Sequence, residues 1–338
     1  MSTFEMPQAL PPLSTPTEAD AAPMDEPLSQ DLIRQRILAY YAVATADYQV
    51  WSANFNMHFG YWRRGLNPLH REGMLQEINR QVLLRLDLPS DRPLRLADLG
   101  CGSGATARVA VAWHAQLTVD AVTIVPNQIT LGQTLNGQAA RGDAISMHQA
   151  DFASTPLPSA QFDAVYMVES ACHAAGQTKN AVLQEAFRLL KPGGRFIMVD
   201  AMLRHELPQQ GLMPRLVNRI YRRWCASWAV SELCRLDLLP DAMLAEGFEN
   251  PSVEDWSWRV APSVAHAPLL SIYFAVSELI KARGRLPLWR WRHIVAALLT
   301  PLLGLRRSSF AYAAVVARKP SCAPLDTPLL TKPRPITT

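Results

Sequence analysis

The stretch Leu94–Gly104, LRLADLGCGSG, joins a predicted strand to a predicted helix through a glycine-rich turn. Its first part has the length and apolar content of a buried strand, and the following ATARVAVAWHA has helical spacing. Glycine accepts positive φ and lets backbone N–H groups come close to a ligand. Dinucleotide sites favour the spacing GxGxxG, which Gly104-Ala105 breaks. The turn therefore predicts a ligand site in which a nicotinamide cofactor is the less favoured occupant.

Predicted strands and helices alternate from this turn onwards. The predicted strands are LRLADLG, LTVDAVTI, AISMHQAD, FDAVYMV, GRFIMVDAML, PSVEDWSW and FAYAAVVARK. Helix-length patterns separate most of them, which predicts parallel strands joined by right-handed crossovers. The last strand closes the domain without another crossover helix, so we expect it to pair antiparallel. The predicted fold is a Rossmann-like, doubly wound α/β sheet of seven strands.

The flanking segments divide the chain around this sheet. Residues 1–30 and 320–338 are rich in proline and lack a hydrophobic period, so both predict disordered tails. Residues 31–90 predict an N-terminal helical cap, which precedes the sheet domain of residues 91–319.

Two stretches within the domain, about 204–236 and 259–309, do not fit a plain α/β unit. Both are rich in tryptophan and arginine, and they predict helical lid insertions over the carboxyl edge of the sheet, where ligands of such folds bind. Residues 281–307 combine arginines and tryptophans with the apolar run IVAALLTPLLGL. That run is shorter than the roughly twenty residues that span a bilayer. It predicts either an interfacial helix with peripheral membrane contact or a buried lid helix.

The overall composition narrows the classes of function. The chain has 338 residues, of which 49% are hydrophobic and 18% charged, and this balance predicts a globular protein. A formal net charge of +4 is too weak to predict nucleic-acid binding. Five irregularly spaced cysteines without a CxxC pair predict no disulfide scaffold and no metal site. The first residues show no secretory signal, so we expect a cytoplasmic protein.

The segment Leu96–Gly104, LADLGCGSG, resembles the first motif of the class I S-adenosylmethionine (SAM) methyltransferases. The resemblance extends over roughly residues 31–319 and implies SAM as the cofactor. By likeness to that family, the residues that hold the amino-acid end of SAM are Asp98 and the backbone of Gly100, Cys101, Gly102 and Gly104.

Two later segments resemble the parts of these enzymes that hold the nucleoside. The sequence VTIVPNQ after the second predicted strand resembles a subgroup with V-T-I-S-P-x-Q, which includes tocopherol, sterol and cyclopropane-fatty-acid enzymes. That likeness implies ribose contacts from Thr123 and Gln128, although Val125 stands where serine is usual. Asp151 follows the third predicted strand, where the family has an acid that accepts from the adenine amino group. Phe152 is the apolar neighbour expected beside the ring.

The segment Glu169–Ala174, ESACHA, lies just beyond a predicted strand on the ligand side of the sheet. It resembles the E-A-T-C-H-A segment of sterol C-methyltransferases, and Tyr40–Gly60 resembles a second region of the same enzymes. Both likenesses imply methylation of a carbon atom in a lipophilic, isoprenoid- or sterol-like small molecule.

Methylation of an alkene creates a carbocation, and this sets three requirements for the site. It needs aromatic faces near the positive charge, an acceptor for the departing proton, and little water. Glu169 is the best candidate for the base or electrostatic stabiliser. The other catalytic candidates are His58, His173 and Tyr41, and the aromatic candidates are Tyr40, Tyr41, Tyr48, Trp51, Phe59 and Tyr61.

Other functions remain open at this point. N- and O-methyltransferases of sugars and alkaloids carry an HxGYW patch, which His58–Trp62 matches. In such enzymes Glu169 or His173 would take a proton from a heteroatom. A SAM-binding protein without turnover, acting as a scaffold, is a further alternative. Neither the acceptor nor the oligomeric state follows from the sequence.

Overall fold

A computed structural model describes residues 29–281 and 288–321 of the chain. The tails predicted at 1–30 and 320–338 therefore lie almost wholly outside the described residues. The strands that the structure describes are β1 Leu94–Leu99, β2 Leu117–Thr123, β3 Ile145–Gln149, β4 Phe162–Val168, β5 Leu190–Leu203, β6 Cys234–Arg235, β7 Glu249–Asp255 and β8 Phe310–Arg318. They form a single sheet in the order β3-β2-β1-β4-β5-β8-β7, with β6 paired to β5 beside this path.

The predicted α/β sheet with a final antiparallel strand is confirmed. Strands β1 to β5 pair in parallel, whereas β8 lies between β5 and β7 and runs antiparallel to both. Seven strands form the continuous path, as predicted, and β6 adds an eighth. This strand of 2 residues is too short to leave a periodic pattern in the sequence.

Helices cover both faces of the sheet. Those described are α1 Gln30–Trp51, α2 Arg71–Leu86, α3 Ala105–Trp113, α4 Pro126–Gln138, α5 Asn180–Leu189, α6 Leu212–Ser227, α7 Leu239–Ala245, α8 Ser257–Val264, α9 His266–Lys281 and α10 Leu288–Leu305. One hydrophobic core packs α5 and α7 on the sheet, and the core on the other face packs α2, α3 and α8.

Strand β5 shows how the sequence produces these two cores. Side chains alternate between the faces of a strand, and a strand buried on both sides is apolar throughout. Phe196 and Met198 accordingly pack in the α5/α7 core, while Ile197 and Val199 pack in the opposite core. All four side chains are fully buried.

The order of the strands leaves a crevice at the carboxyl ends of β1 and β4. These two strands are neighbours, yet the chain leaves β1 for β2 on one side and reaches β5 from β4 on the other. Ligands of open α/β sheets bind at such a reversal of strand order. The loops that follow β1 and β4 hold the glycine-rich turn and the segment Glu169–Ala174.

Candidate active site

The glycine-rich turn is shaped by its contact with the end of β4. Gly100 has φ +85°, and a Cβ built there would lie 2.3 Å from Ser170 Cβ. Ser170 Oγ also donates a hydrogen bond of 2.7 Å to the carbonyl oxygen of Leu99. Only glycine fits this close approach in this conformation.

A cavity of about 700 Å³, counting its open mouth, lies beside this turn, and we call it the turn cavity. Seven of the residues predicted to hold the cofactor line it, namely Asp98, Gly100, Cys101, Gly102, Thr123, Gln128 and Phe152. Its other lining residues include Ile37, Phe55 and Met57 from the N-terminal region. The N-terminal region therefore closes a site whose floor is built by the sheet.

Asp98 places a buried carboxyl group in the lining of the turn cavity. Its residue is 3% exposed, and its Oδ2 atom has no hydrogen-bond partner among the described residues. Burial raises the pKa of the Asp98 carboxyl to about 7. The Tyr166 hydroxyl beside Asp98 favours the charged form but does not outweigh burial, so the position suits a ligand that brings a cationic or hydrogen-donating group.

Thr123 and Gln128 are hydrogen-bonded to each other in the lining of the turn cavity. The Thr123 hydroxyl donates a hydrogen bond of 2.6 Å to Gln128 Oε1, and both residues are buried. The Gln128 amide nitrogen lies 3.5 Å from Met57 Sδ, which is a weak acceptor. The amide therefore keeps donor capacity for a hydroxyl group bound in the cavity.

Two predicted cofactor residues, Gly104 and Asp151, are not among the lining residues of the turn cavity. Gly104 precedes the first turn of α3 with φ +80°, and its N–H donates to the carbonyl oxygen of Cys101 at 2.9 Å. Asp151 is exposed, and its Oδ1 accepts from the N–H of Ala153 at 2.8 Å. In this structure Asp151 therefore caps its own loop beside Phe152.

A larger open cavity of about 1220 Å³ adjoins the first, and we call it the aromatic cavity. Its lining is mostly apolar and includes nine aromatic side chains, Tyr40, Tyr41, Tyr48, Trp51, Phe59, Trp224, Trp228, Phe274 and Tyr312. Five of these were predicted from the sequence. Tyr61 was also predicted, but it is not in the lining and packs on Trp256 in the core.

The four predicted catalytic side chains form the partition between the two cavities. Tyr41, His58, Glu169 and His173 line both the turn cavity and the aromatic cavity, together with Met57. Groups at this position can contact a ligand on either side. The structure thus brings together residues that are far apart in the sequence.

Glu169 is held rigidly in this partition. It follows β4 with φ +49°, a left-handed conformation that is uncommon for glutamate and concentrates at functional sites. Its Oε1 atom accepts hydrogen bonds of 2.6 Å from the Phe59 N–H and from the Tyr312 hydroxyl. Burial nevertheless raises the pKa of Glu169 to about 8, because it outweighs these two bonds that favour the charged form.

His173 and Tyr41 form a neutral pair beside Glu169. The His173 Nδ1 atom lies 2.9 Å from the carbonyl oxygen of Ala229, so this nitrogen carries the proton and donates. The His173 Nε2 atom therefore accepts from the Tyr41 hydroxyl at 3.0 Å. Burial lowers the pKa of His173 to about 4, which keeps the ring neutral at neutral pH.

His58 is held at the same partition through its ring nitrogen Nδ1. Its Nδ1 atom lies 2.8 Å from the carbonyl oxygen of Phe59 and donates to it. Its Nε2 atom is buried and has no partner at hydrogen-bond geometry among the described residues. Burial lowers the pKa of His58 and outweighs the opposing effects of the Phe59 carbonyl and the Asn79 side chain, so the ring is neutral and Nε2 is unprotonated.

Glu72 of α2 holds the segment that precedes His58 and Phe59 through several hydrogen bonds. The Glu72 Oε1 atom accepts from Ser52 Oγ at 3.0 Å, from Asn54 Nδ2 at 2.8 Å and from Asn56 Nδ2 at 3.2 Å. This network orients the Phe59 N–H toward Glu169.

Several side chains of the aromatic cavity were missed by sequence reasoning. Tyr312 belongs to β8, and Trp224 and Trp228 come from α6 and the residue that ends it. Asp200 is 2% exposed in β5, and burial raises its pKa to about 6. Of these residues only Asp200 could have been predicted from the sequence, because it is an acid near the end of an apolar strand, as Asp98 and Glu169 are.

Comparison with known proteins agrees with this geometry. Residues 97–198 match the family model described as a methyltransferase domain. The chain is 26% identical to a probable chloroplastic tocopherol O-methyltransferase of Oryza sativa subsp. japonica over 285 residues, which are 80% of this chain and 75% of the relative. It is 30% identical to cycloartenol-C-24-methyltransferase 1 of the same plant over 187 residues, 54% of this chain and 50% of the relative.

Solved structures share the fold at lower identity. The cyclase SpnF superimposes with a TM-score of 0.66 and 21% identity, covering 86% of this chain and 97% of that one. A second solved structure is geranyl diphosphate C-methyltransferase from Streptomyces coelicolor A3(2), in complex with Mg²⁺, geranyl diphosphate and S-adenosylhomocysteine (SAH). It superimposes with a TM-score of 0.59 and 16% identity, covering 87% of this chain and 100% of that one.

The chain is therefore a SAM-dependent methyltransferase with the class I fold. The turn cavity fits the cofactor, since the buried Asp98 carboxyl group suits its ammonium group and the Gln128 amide suits a ribose hydroxyl. Among residues 29–281 and 288–321, no group of three or more histidine, cysteine or acidic side chains is placed to hold a metal ion.

The raised pKa of Asp98 predicts pH-dependent binding of SAH. Only the carboxylate attracts the ammonium group, and below pH of about 7 the free protein must lose a proton from Asp98 first. We expect the affinity, measured by calorimetry, to fall up to about tenfold per pH unit below that value and to level off above it.

The variant Asp98→Asn provides the control for this pH dependence. It should bind SAH about 10- to 100-fold more weakly at high pH, because a charge-assisted hydrogen bond is lost. It should also lose the pH dependence near 7. Wild-type affinity that stays constant from pH 5 to 8 would contradict the assignment.

Proposed function

We propose that the protein transfers a methyl group from SAM to a carbon atom of a lipophilic, isoprenoid- or sterol-like small molecule. The observation that carries the proposal is the position of Glu169. Its carboxyl group stands between the turn cavity and a cavity lined by nine aromatic side chains. In this scheme the acceptor binds in the aromatic cavity.

The chemistry places specific demands on the partition. Bound SAM supplies an electrophilic methyl group. A double bond of the acceptor donates its π electrons to this carbon, the methyl–sulfur bond breaks with its electron pair left on sulfur, and the acceptor becomes a cation. Aromatic faces stabilise that charge, and the Glu169 carboxylate then takes the proton that the cation releases.

The surroundings of Glu169 suit this role. A base must be deprotonated before the reaction and must hold the proton afterwards, which requires a pKa near the working pH. The pKa of Glu169 at about 8 meets this requirement. Its two hydrogen bonds aim one carboxylate oxygen and leave Oε2 available to the acceptor.

The variant Tyr312→Phe tests whether Glu169 acts as the base. The Tyr312 hydroxyl donates to the Glu169 carboxylate and lowers its pKa, so its removal should raise that pKa further. Turnover of wild type should rise with pH through about 8, and the variant should shift this rise upward by about one pH unit. A merely structural role of Tyr312 would lower turnover without moving the pH profile.

The mostly apolar lining of the aromatic cavity favours an apolar acceptor. Among the lining residues that the structure describes there is no lysine or arginine, and three acids, Asp47, Glu169 and Asp200, are present. The similarity to a cycloartenol C-methyltransferase supports methylation of a carbon in such a molecule.

The same three acids favour one alternative, methylation of an amine. Carboxylates among aromatic rings suit a cationic acceptor, and the chain is 31% identical over 187 residues to a dimethylglycine N-methyltransferase. Mass spectrometry of incubations with cycloartenol or with dimethylglycine separates the two proposals. We expect a methylated product from cycloartenol and none from dimethylglycine, and the reverse result would favour the amine.

We also propose that the protein works in the cytoplasm and contacts a membrane peripherally through residues 281–307. Residues 282–287 of this segment lie outside the described residues. A lipophilic acceptor is concentrated in membranes, so such contact would bring the enzyme to it.

A further inference from the structure

The outer side of α9 carries a continuous apolar stripe. Leu269, Ile272, Tyr273, Val276 and Ile280 follow helical spacing and are each at least half exposed. The largest exposed fractions are 74% for Ile280 and 69% for Leu269. Large contiguous exposed apolar patches mark interaction sites in soluble proteins.

The opposite side of α9 is apolar as well, because it faces the aromatic cavity. Leu270 and Phe274 line that cavity. The stretch Ser257–Ile280 reaches a mean hydropathy of 1.4 over a membrane-length window, of which only 17% is buried. A helix that is apolar around its circumference belongs in an apolar environment on all sides. The cavity provides one side, and the outer side lacks a cover among the described residues.

Helices α6 and α10 extend this outer face. Both pack together, and α10 also packs on α9. Each lines the aromatic cavity with one side, through Trp224 on α6 and through Ile294 and Ala297 on α10. Their outward sides therefore point away from the cavity, as that of α9 does. Exposed leucines continue the apolar surface there, notably Leu216 on α6 and Leu302 on α10.

The charge on this outer face is one-sided. Helix α6 exposes Arg215, Arg219 and Arg223 among its leucines, and neither α6 nor α10 contains an acidic residue. Glu278 is the only acidic residue in α9. A surface that combines apolar side chains with arginines is complementary to anionic lipid headgroups over acyl chains.

We propose that the outer face of α6, α9 and α10 docks on an anionic lipid surface. A second copy of the chain is a poorer occupant, because a two-fold interface places a patch against itself and would oppose the arginines of α6. Docking would bring α6, α9 and α10, which line the aromatic cavity, into contact with the bilayer. The passage of an acceptor from the lipid into the cavity rests on the proposed methyl transfer, whereas the docking itself does not; it extends the proposed membrane contact to α6 and α9.

The direct test is co-sedimentation of the full chain with vesicles. Vesicles of phosphatidylcholine are compared with vesicles of equal parts phosphatidylcholine and phosphatidylglycerol. We expect binding to the anionic vesicles that weakens as salt rises. The double variant Ile272→Ser/Tyr273→Ser should bind at least about tenfold more weakly, because it removes exposed apolar area outside both cavities.

Matched control variants test whether vesicle binding depends on this surface or on any exposed apolar side chain. The double variant Leu84→Ser/Leu244→Ser removes side chains of similar exposure, 53% and 51%, on α2 and α7 and should bind vesicles as wild type does. Arg215→Ser/Arg219→Ser should bind anionic vesicles more weakly and with less salt dependence. All variants should keep wild-type affinity for SAH, so a failed docking result is distinguishable from a failed methyltransferase site.

Three outcomes would overturn the proposal. The first is wild-type protein that does not sediment with anionic vesicles. The second is equal binding by wild type and Ile272→Ser/Tyr273→Ser. The third is a dimer in the absence of lipid that this double variant dissociates in light scattering, because the face would then be an interface between copies.

Discussion

Glu169→Gln is expected to lower turnover by about 10²- to 10⁴-fold, the range typical for loss of a positioned acid or base. The substitution keeps the size of the side chain, and its amide oxygen can still accept from the Phe59 N–H and the Tyr312 hydroxyl. It removes the negative charge at the partition and the capacity to take a proton. The loss should therefore appear in kcat and leave the affinity for SAH unchanged.

A second buried glutamate offers the control for this variant. Glu77 is 6% exposed, pairs with Arg63 at 3.0 Å and lines neither cavity. Glu77→Gln should keep wild-type turnover. Equal turnover by Glu169→Gln and wild type would remove Glu169 from the chemistry, whatever the fate of cofactor binding.

Gly100→Ala is expected to produce the largest loss of cofactor binding. The new Cβ would lie 2.3 Å from Ser170 Cβ and 2.6 Å from Ser170 Oγ, and the residue would keep φ at +85°. The left-handed conformation alone costs an L-residue about 1–2 kcal/mol, and the overlap forces the ends of β1 and β4 apart. We expect SAH affinity to fall by at least about 100-fold and the melting temperature to fall as well.

Gly137→Ala is the matched control for Gly100→Ala. Gly137 lies in α4, and a Cβ built there meets no atom within 4 Å. Alanine at this helical position should stabilise the protein slightly and leave SAH binding intact. If both alanine variants bound SAH as wild type does, the close approach at Gly100 would not be what shapes the turn.

Much of the fold was predictable because its signals are local. The strand–turn–helix pattern of LRLADLGCGSG, the apolar strands and the crossover-length helices together specify a doubly wound sheet. The turn also brings Asp98, Gly100 and Gly102 into the lining of a cavity, whereas Gly104 lies outside that lining. The two-residue β6 could not be predicted, since its pairing with β5 depends on tertiary contacts and not on its own sequence.

The aromatic cavity was predictable only in part because its walls come from distant segments. Tyr312 is 143 positions from Glu169, and nothing near either residue in the sequence indicates their hydrogen bond. Trp224 and Trp228 lie in an insertion whose helical pattern predicts a lid, but the pattern does not show which side faces the ligand. Tyr61 differs in the other direction, because the sequence predicts it as an aromatic residue of the site whereas the structure packs it on Trp256 in the core.

The most direct test of the account is the position of the transferred methyl group on a single acceptor that offers both a carbon and an oxygen. A tocopherol that lacks one ring methyl group carries a free ring carbon beside its phenolic hydroxyl. The enzyme is incubated with this acceptor and with SAM that carries an isotopically labelled methyl group, and the product is examined by NMR. The account predicts the label on the ring carbon. Label on the phenolic oxygen would contradict it.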